Sequence, residues 1–348
     1  MKNKIKLGWI GSGFVSQVAH LSSFTNIPNV EIVALSEIRK NLGRLNCKRF
    51  GIKKFYNSFI EMLNKEKLDG VVCIVRRYQT YMVAKEVLKK KINLFTEKPM
   101  APTVKQAKHL VNLAKKNKLI YTVGNMRRHD SGVVKCKKLF SNLIKTKKIG
   151  NFLQYKHTIL AGGDYCNIDG YIPTSEKISK KRFYPDSPDW LPKKFEKEYE
   201  KFLNYFNHNI NLLRFFFDEI NEIKYQNYNN QNGNFFFNHK KFRGSFDFFY
   251  LTNNSWKENL EFIFSEGTIN LELPPAFIKN KPAKIKIYSN KEKKLIYHIP
   301  NFDWSFKNQA IDFVNSLKKN RHSISSGLDS LEDIRTIDKI WKKKFFNA

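Results

Sequence analysis

A glycine-rich turn sits directly behind the first apolar run of a regular strand–helix alternation, and this pairing restricts the fold more than any other feature of the 348-residue chain. Short apolar runs at residues 5–10, 30–35, 71–75, 92–96 and 119–123 read as strands. Between them, residues 14–24, 41–50, 59–64, 81–90 and 104–116 carry helical patterns. The run Val71-Val72-Cys73-Ile74-Val75 is uninterrupted and mostly β-branched, as expected for a strand covered on both faces. Strands alternating with helices of this length predict βαβ units and a parallel sheet, an α/β domain over residues 1–124.

Past Gly124 the pattern changes. A helix is predicted over 133–144, and then strand-like runs dominate at 152–160, 235–237, 242–251, 260–264, 268–273 and 285–288. Runs of strands joined by turns predict an open, mostly antiparallel sheet, so residues 125–348 read as an α+β domain. A polar, Pro-containing insertion at 164–194 separates its first strand from a long helix over 195–217. Loops of such length commonly carry function. The Asn-rich stretch 227–234 reads as a hairpin tip. Residues 306–317 form an amphipathic helix with Ala310, Phe313, Val314 and Leu317 on one face, opening a C-terminal helical segment over 306–348.

Composition narrows the function. Hydrophobic residues make up 41%, which is enough to build real cores and excludes a disordered chain. The net charge of +32 invites a nucleic-acid reading. Only 12 of the 63 basic residues are Arg, however, and the lysines are spread along the chain amid abundant Asn, Ile and Phe. A codon-biased genome accounts for that pattern, and no nucleic-acid partner is expected. The surface charge would still steer anionic ligands inward. Four cysteines without a CxxC pair give neither a disulfide framework nor a zinc site, so no metal is expected and a reducing cytoplasmic setting fits. No apolar run approaches the ~18 residues of a membrane span, and the first residues do not read as a signal peptide.

Three motifs carry chemistry. The first is Gly11-Ser12-Gly13-Phe14-Val15-Ser16. Gly11 permits a tight turn, Gly13 lets the backbone approach a pyrophosphate, and the N–H groups around Phe14 and Val15 open a helix with the positive end of its dipole outward. Glu37 ends the second strand 24 residues after Gly13, where an acidic residue hydrogen-bonds ribose hydroxyls. It would repel a 2′-phosphate and so favours NAD, while Arg39 two residues on could stack on adenine or accept NADP. The second motif is Thr96-Glu97-Lys98-Pro99-Met100-Ala101, at the carboxyl end of a sheet strand, where open α/β sheets bind ligands. The third is Asn204-Tyr205-Phe206-Asn207-His208, whose first and last residues share one face of the 195–217 helix.

Together these segments resemble the Gfo/Idh/MocA oxidoreductases. The likeness runs from the glycine turn and Glu37 through Asp69-Gly70-Val71-Val72 to Glu97-Lys98-Pro99-Met100, and on through Val123-Gly124-Asn125-Met126-Arg127-Arg128 and the tail from Ser326-Gly327-Leu328-Asp329-Ser330 to Ile340-Trp341. The resemblance implies a Rossmann domain with NAD (or NADP) held by Gly11, Gly13, Phe14, Val15, Glu37, Arg39 and Glu97. It implies hydride transfer at a secondary alcohol of a sugar, cyclitol or nucleotide-sugar. Lys98 and His208 become the catalytic pair, His208 being contributed by a helix of the second domain. Asn204 stands where the family carries Asp, and can orient a partner but cannot take a proton. Arg128, Asp130 and Tyr171 are candidate substrate contacts, with Asp130 equally readable as a helix cap. Asp164, Thr174 and Glu176 are candidates for a substrate-covering loop. The family's Thr-Pro and His after the third strand are replaced by Val75-Arg76 and Thr80, and its Gly before the fourth strand by Lys91, so Arg76 and Arg77 are candidates for phosphate or substrate contact. A homo-oligomer, dimer or tetramer, is implied as well. A glycosidase of the same resemblance with a tightly held NAD, or a non-catalytic dinucleotide-binding partner protein, are the rival readings.

Overall fold

The computed structural model describes residues 4–162, 169–178, 182–220, 222–228, 232–239, 242–252 and 255–346. Six strands form a wholly parallel sheet: β1 (Ile5–Ile10), β2 (Val30–Ser36), β3 (Lys54–Tyr56), β4 (Gly70–Cys73), β5 (Asn93–Glu97) and β6 (Tyr121–Gly124). Their order is β3-β2-β1-β4-β5-β6. The order reverses between β1 and β4, and ligands of such sheets bind at that reversal. The connecting helices are α1 (π-helical Ser16–Leu21 continuing as Ser22–Phe24), α2 (Lys40–Phe50), α3 (Phe59–Lys65), α4 (Arg77–Lys89) and α5 (Val104–Lys116). The sequence reading lacked β3, which has three residues and no fully buried side chain, and it started α4 four residues late.

The second sheet has eight strands: β7 (Phe152–Ala161), β8 (Glu222–Tyr228), β9 (Asn232–His239), β10 (Phe242–Tyr250), β11 (Trp256–Phe264), β12 (Gly267–Leu273), β13 (Lys284–Ser289) and β14 (Lys294–His298). Their order is β14-β13-β12-β11-β7-β10-β9-β8, open at both edges, with β7 and β10 parallel and every other pair antiparallel. The edge strands β8 and β14 were not expected. β14 has no buried residue, so it lacks the apolar alternation by which a strand is read. The Asn-rich stretch joins β8 to β9, and its residues 229–231 lie outside the described residues. The remaining helices are α6 (Ser131–Thr146), α7 (Glu196–Phe217), α8 (Ser305–Lys319) and α9 (Gly327–Phe345).

The chain divides into two compact units, and the division does not follow the order of residues. The first unit takes the described residues of 1–125, 168–208 and 306–335; the second takes those of 126–167, 209–305 and 336–348. Packing explains why α8 belongs with the parallel sheet. Ala310, Phe313 and Val314 are buried in the same cluster as Leu7, Trp9, Phe24 and Phe95. Phe313 meets Phe24 and Phe95 edge-on at 6.3 and 5.6 Å. Burying each such ring stabilises by about 1.5–3 kcal/mol. In the second unit, Phe140 of α6 lies against Phe262 at 4.9 Å, and Phe217 lies against Tyr155 at 4.9 Å, covering one face of the eight-stranded sheet. Cys47, Cys73 and Cys136 are buried free thiols. Among the described residues no helix is long and apolar enough to cross a membrane, and no cluster of three His, Cys, Asp or Glu could hold a metal ion.

Candidate active site

The glycine turn is built as its spacing demands. Gly11 has φ +88°, and a Cβ there would lie 2.3 Å from the carbonyl oxygen of Ile74. Only glycine fits both conditions. At Gly13 the nearest atom to an added Cβ is Arg39 Nη2 at 3.6 Å, so the backbone there stays approachable. Ser16 does more than fit the small third position. Its hydroxyl donates to Gly11 O at 2.7 Å and accepts from Trp9 Nε1 at 2.9 Å, bracing the turn from within the core. Gln17 donates to Ser12 O at 3.0 Å.

A cavity of about 450 Å³ opens beside this turn, lined among others by Gly11, Gly13, Phe14, Val15, Glu37 and Arg39. Arg76 also lines it, whereas Arg77 is committed to Glu200, with Nη2 on Oε2 at 2.9 Å and Nη1 on the Glu200 carbonyl at 3.1 Å. Glu37 is 3% exposed and its carboxylate is saturated. Oε1 accepts from Arg39 N at 3.1 Å and Nε at 2.9 Å; Oε2 accepts from Ser12 N at 2.8 Å, Ser12 Oγ at 3.2 Å and Arg39 Nη2 at 2.9 Å. Burial pushes this carboxyl up, but the Arg39 guanidinium and the Ser12 N–H pull it further down, and the net position is below the ordinary range. A ribose diol at Glu37 therefore has to displace Arg39.

Part of the polar insertion lies along the same cavity. Tyr171, 40% exposed, meets Phe14 edge-on at 5.1 Å. Ile172 exchanges hydrogen bonds with the Gln17 amide at 2.7 and 3.1 Å. Glu176 caps the first turn of α2 by accepting from Asn41 N at 3.2 Å and Leu42 N at 3.0 Å, with Thr174 Oγ1 bonded to it at 3.3 Å. Ile178 lines the cavity. Tyr171 thus packs on Phe14, a residue lining the cavity, and Thr174 and Glu176 sit at the start of α2, while Asp164 is outside the described residues.

The second motif ends β5. The Lys98–Pro99 peptide is cis. Glu97 accepts from His20 Nε2 at 2.7 Å through Oε1, and from the Lys98 backbone N–H at 3.0 Å through Oε2. Gly124 makes room for this carboxylate, since a Cβ there would lie 2.9 Å from Oε1. Glu97 thus holds the start of the lysine loop through His20 and the Lys98 N–H, and it is not among the residues lining the cavity beside the glycine turn. His20 was not singled out by sequence. The only available signal was a lone histidine in an otherwise apolar and hydroxylated helix.

Lys98 Nζ reaches the backbone carbonyl of Asn204 at 2.6 Å. Burial holds this ammonium below the ordinary lysine range; the Glu97 carboxylate opposes the shift and the Arg77 cation adds to it. The helix that supplies Asn204 has no Gly or Pro in its 22 residues, Glu196 and Glu198 in its first turn, and Arg214 in its last, all favourable to its dipole. Its less-buried positions before residue 209 include Lys201, Asn204, Tyr205 and His208, a single stripe at helical spacing. Positions 209–214 are buried without exception. Lys98, Asn204 and His208 accordingly belong to the same compact unit, although His208 was expected from the second domain.

Two substrate candidates are buried within the second unit and make bonds inside it. Arg128 is 4% exposed, donates to Asn211 O at 3.0 Å and stacks over Phe215 at 5.3 Å. Asp130 is 5% exposed and caps α6, accepting through Oδ1 from Gly132 N at 2.9 Å, Val133 N at 3.1 Å and Ala283 N at 3.0 Å. A buried network also occurs there. Glu258 accepts from Arg127 Nη2 at 2.9 Å and Asn209 Nδ2 at 2.7 Å, with His157 Nε2 at 3.3 Å.

A family model described as an oxidoreductase family with an NAD-binding Rossmann fold matches residues 5–125. The inositol 2-dehydrogenase of Salmonella typhimurium is 28% identical over 149 residues, which is 42% of this chain and 43% of that protein. The inositol 2-dehydrogenase/D-chiro-inositol 3-dehydrogenase of Lacticaseibacillus casei is 30% identical over 37% of this chain and 38% of that protein. The chain thus matches less than half the length of these curated relatives. Among solved structures, a 3-ketoreductase from Actinomadura kijaniata in complex with TDP-benzene and NADP is similar over 97% of both chains, with a TM-score of 0.74 and 16% identity, a likeness of fold. The glycine turn, the cavity beside it and the matched family model agree: residues 5–125 are similar to the NAD-binding Rossmann domain of the Gfo/Idh/MocA oxidoreductases.

Proposed function

We infer that the chain is an NAD(P)-dependent oxidoreductase acting on a secondary alcohol, or the matching ketone, of a sugar, cyclitol or nucleotide-sugar. The observation that carries this reading is Lys98: an ammonium at a sheet-strand end, hydrogen-bonded to Asn204 O on the helix that carries the half-buried His208. The names of the inositol dehydrogenases and of the 3-ketoreductase support the substrate class.

The glycine turn, with its positive φ at Gly11 and approachable backbone at Gly13, fits a dinucleotide pyrophosphate, and the cavity beside Glu37 and Arg39 fits its adenosine half. The nicotinamide, when bound, supplies the hydride acceptor or donor. The rest falls to the chain's own residues. His208 takes the proton from the substrate hydroxyl in oxidation and returns it in reduction. Lys98 donates a hydrogen bond to the same oxygen and stabilises its developing negative charge. Its lowered proton affinity makes it a stronger donor toward that oxygen than an ordinary lysine. Residues of the polar insertion are fastened beside the cavity, Ile172 to Gln17 and Glu176 to the first turn of α2. We expect a cytoplasmic homo-oligomer.

The test is a panel of inositols, other polyols and nucleotide-sugars followed at the NADH absorbance, with the bound cofactor identified by mass. Turnover of one class with hydride uptake supports the reading. Tight NAD binding without turnover of any panel member, or release of a leaving group without net NADH, would replace it with one of the two rivals.

A further inference from the structure

We propose that His20 is a positioning residue for Lys98, acting through the carboxylate of Glu97; the proposal deepens the reading of Lys98 given above and rests on it. His20 is fully buried. Its Nε2 lies 2.7 Å from Glu97 Oε1, while Nδ1 has no hydrogen-bond partner among the described residues. The ring meets Phe95 and Phe306 edge-on at 5.5 and 5.4 Å. A carboxylate only accepts, so Nε2 is the donor of this bond.

Two consequences follow. The Glu97 carboxylate acts on the neighbouring Lys98 ammonium and favours its protonated form. The donated hydrogen bond also fixes the carboxylate in the hollow that Gly124 leaves open, with the other oxygen on the Lys98 backbone N–H at 3.0 Å. His20 is carried by the π-helical segment Ser16–Leu21, which follows directly on the glycine turn. Wide π turns recur at functional sites. The same helix that presents its N-terminal end to the cofactor therefore braces the lysine loop from its other end. The charged groups bearing on Lys98 are Glu97 and Arg77, and Arg77 is itself paired with Glu200.

The experiment compares His20→Leu, which cannot donate, with His20→Gln, which can. The pH at which Lys98 becomes half-reactive toward acetic anhydride is read by peptide mass spectrometry on the full chain. In His20→Leu the midpoint moves down by about half a pH unit or more, because the unheld carboxylate no longer supports the ammonium. His20→Gln restores most of the shift. In parallel, kcat falls about tenfold in His20→Leu while NAD affinity changes little, the cost of a misplaced catalytic group. An unmoved Lys98 midpoint in His20→Leu, or equal shifts in both variants, overturns the proposal. The labelling readout needs no turnover, so it judges His20 even if Lys98→Ala keeps full activity and the catalytic reading of Lys98 fails by itself.

Discussion

Lys98 Nζ donates a 2.6 Å hydrogen bond to the main-chain carbonyl of Asn204, 106 residues further along the chain. The acceptor is backbone, so the contact survives any side chain at position 204 that keeps the helix. This changes what the Asn there can mean. It need not be a degraded proton acceptor for Lys98 to be held in place.

Asn204→Asp follows from that geometry. The substitution preserves the carbonyl contact and, if the side chain at 204 faces the reacting groups, brings a carboxylate toward the ammonium. A nearby negative charge favours the protonated lysine. The alkaline limb of the kcat/KM pH profile should move upward, and an acidic limb should appear where the new carboxylate titrates. An unchanged profile would show that position 204 does not face the reacting groups.

On the proposed reading, cofactor preference depends on the saturated Glu37, whose carboxylate would repel a 2′-phosphate while Arg39 is engaged with it through two nitrogen atoms. NAD should bind more tightly than NADP. Glu37→Ala releases Arg39 and should narrow or invert the preference, by about tenfold for the loss of one charge-assisted contact. Titration of both dinucleotides against both proteins measures it, and equal affinities in the intact protein would count against the assignment.

The buried Glu258 network sets acid stability. Burial raises that carboxyl, but Arg127 and His157 lower it further, so the folded group titrates below the unfolded one. Its contribution is complete above the ordinary Glu value of about 4.3 and is lost as pH falls through the folded value. Glu258→Gln removes the charge and leaves Arg127, 3% exposed, facing a neutral amide. The loss should be about 3 kcal/mol. Urea unfolding of both proteins between neutral and acidic pH reads the difference, which should shrink toward the acid end. A difference within about 0.5 kcal/mol at neutral pH, the size of a surface substitution, would contradict the network's role.

The motifs legible in the sequence are those whose chemistry is local. The glycine turn, Glu37 at a strand end, and Glu97-Lys98-Pro99 each declare themselves within a few residues, because strand, turn and helix start are set by neighbours. Pairings across the chain were not legible. His20 and Glu97 are 77 residues apart, and nothing near either one announces the other. Arg128 and Asp130 illustrate the converse: in sequence, a charged pair near a glycine looks the same whether its partners are a substrate or a helix end, and in the structure Asp130 caps α6. The grouping of 168–208 and 306–335 with the parallel sheet depends on Phe313, Val314 and Tyr199 finding burial there. Amphipathic spacing predicts that such faces are covered, but not by what.

The central claim is that Lys98 and His208 act on one substrate oxygen. It is tested most directly by single-turnover hydride transfer in Lys98→Ala, His208→Ala and the double variant, with NAD saturating and the best panel substrate. Each single change should slow transfer by about 10²-fold or more, and the double variant should lose less than the product of the two, because the groups work as a unit. Full-rate hydride transfer in His208→Ala would contradict the account.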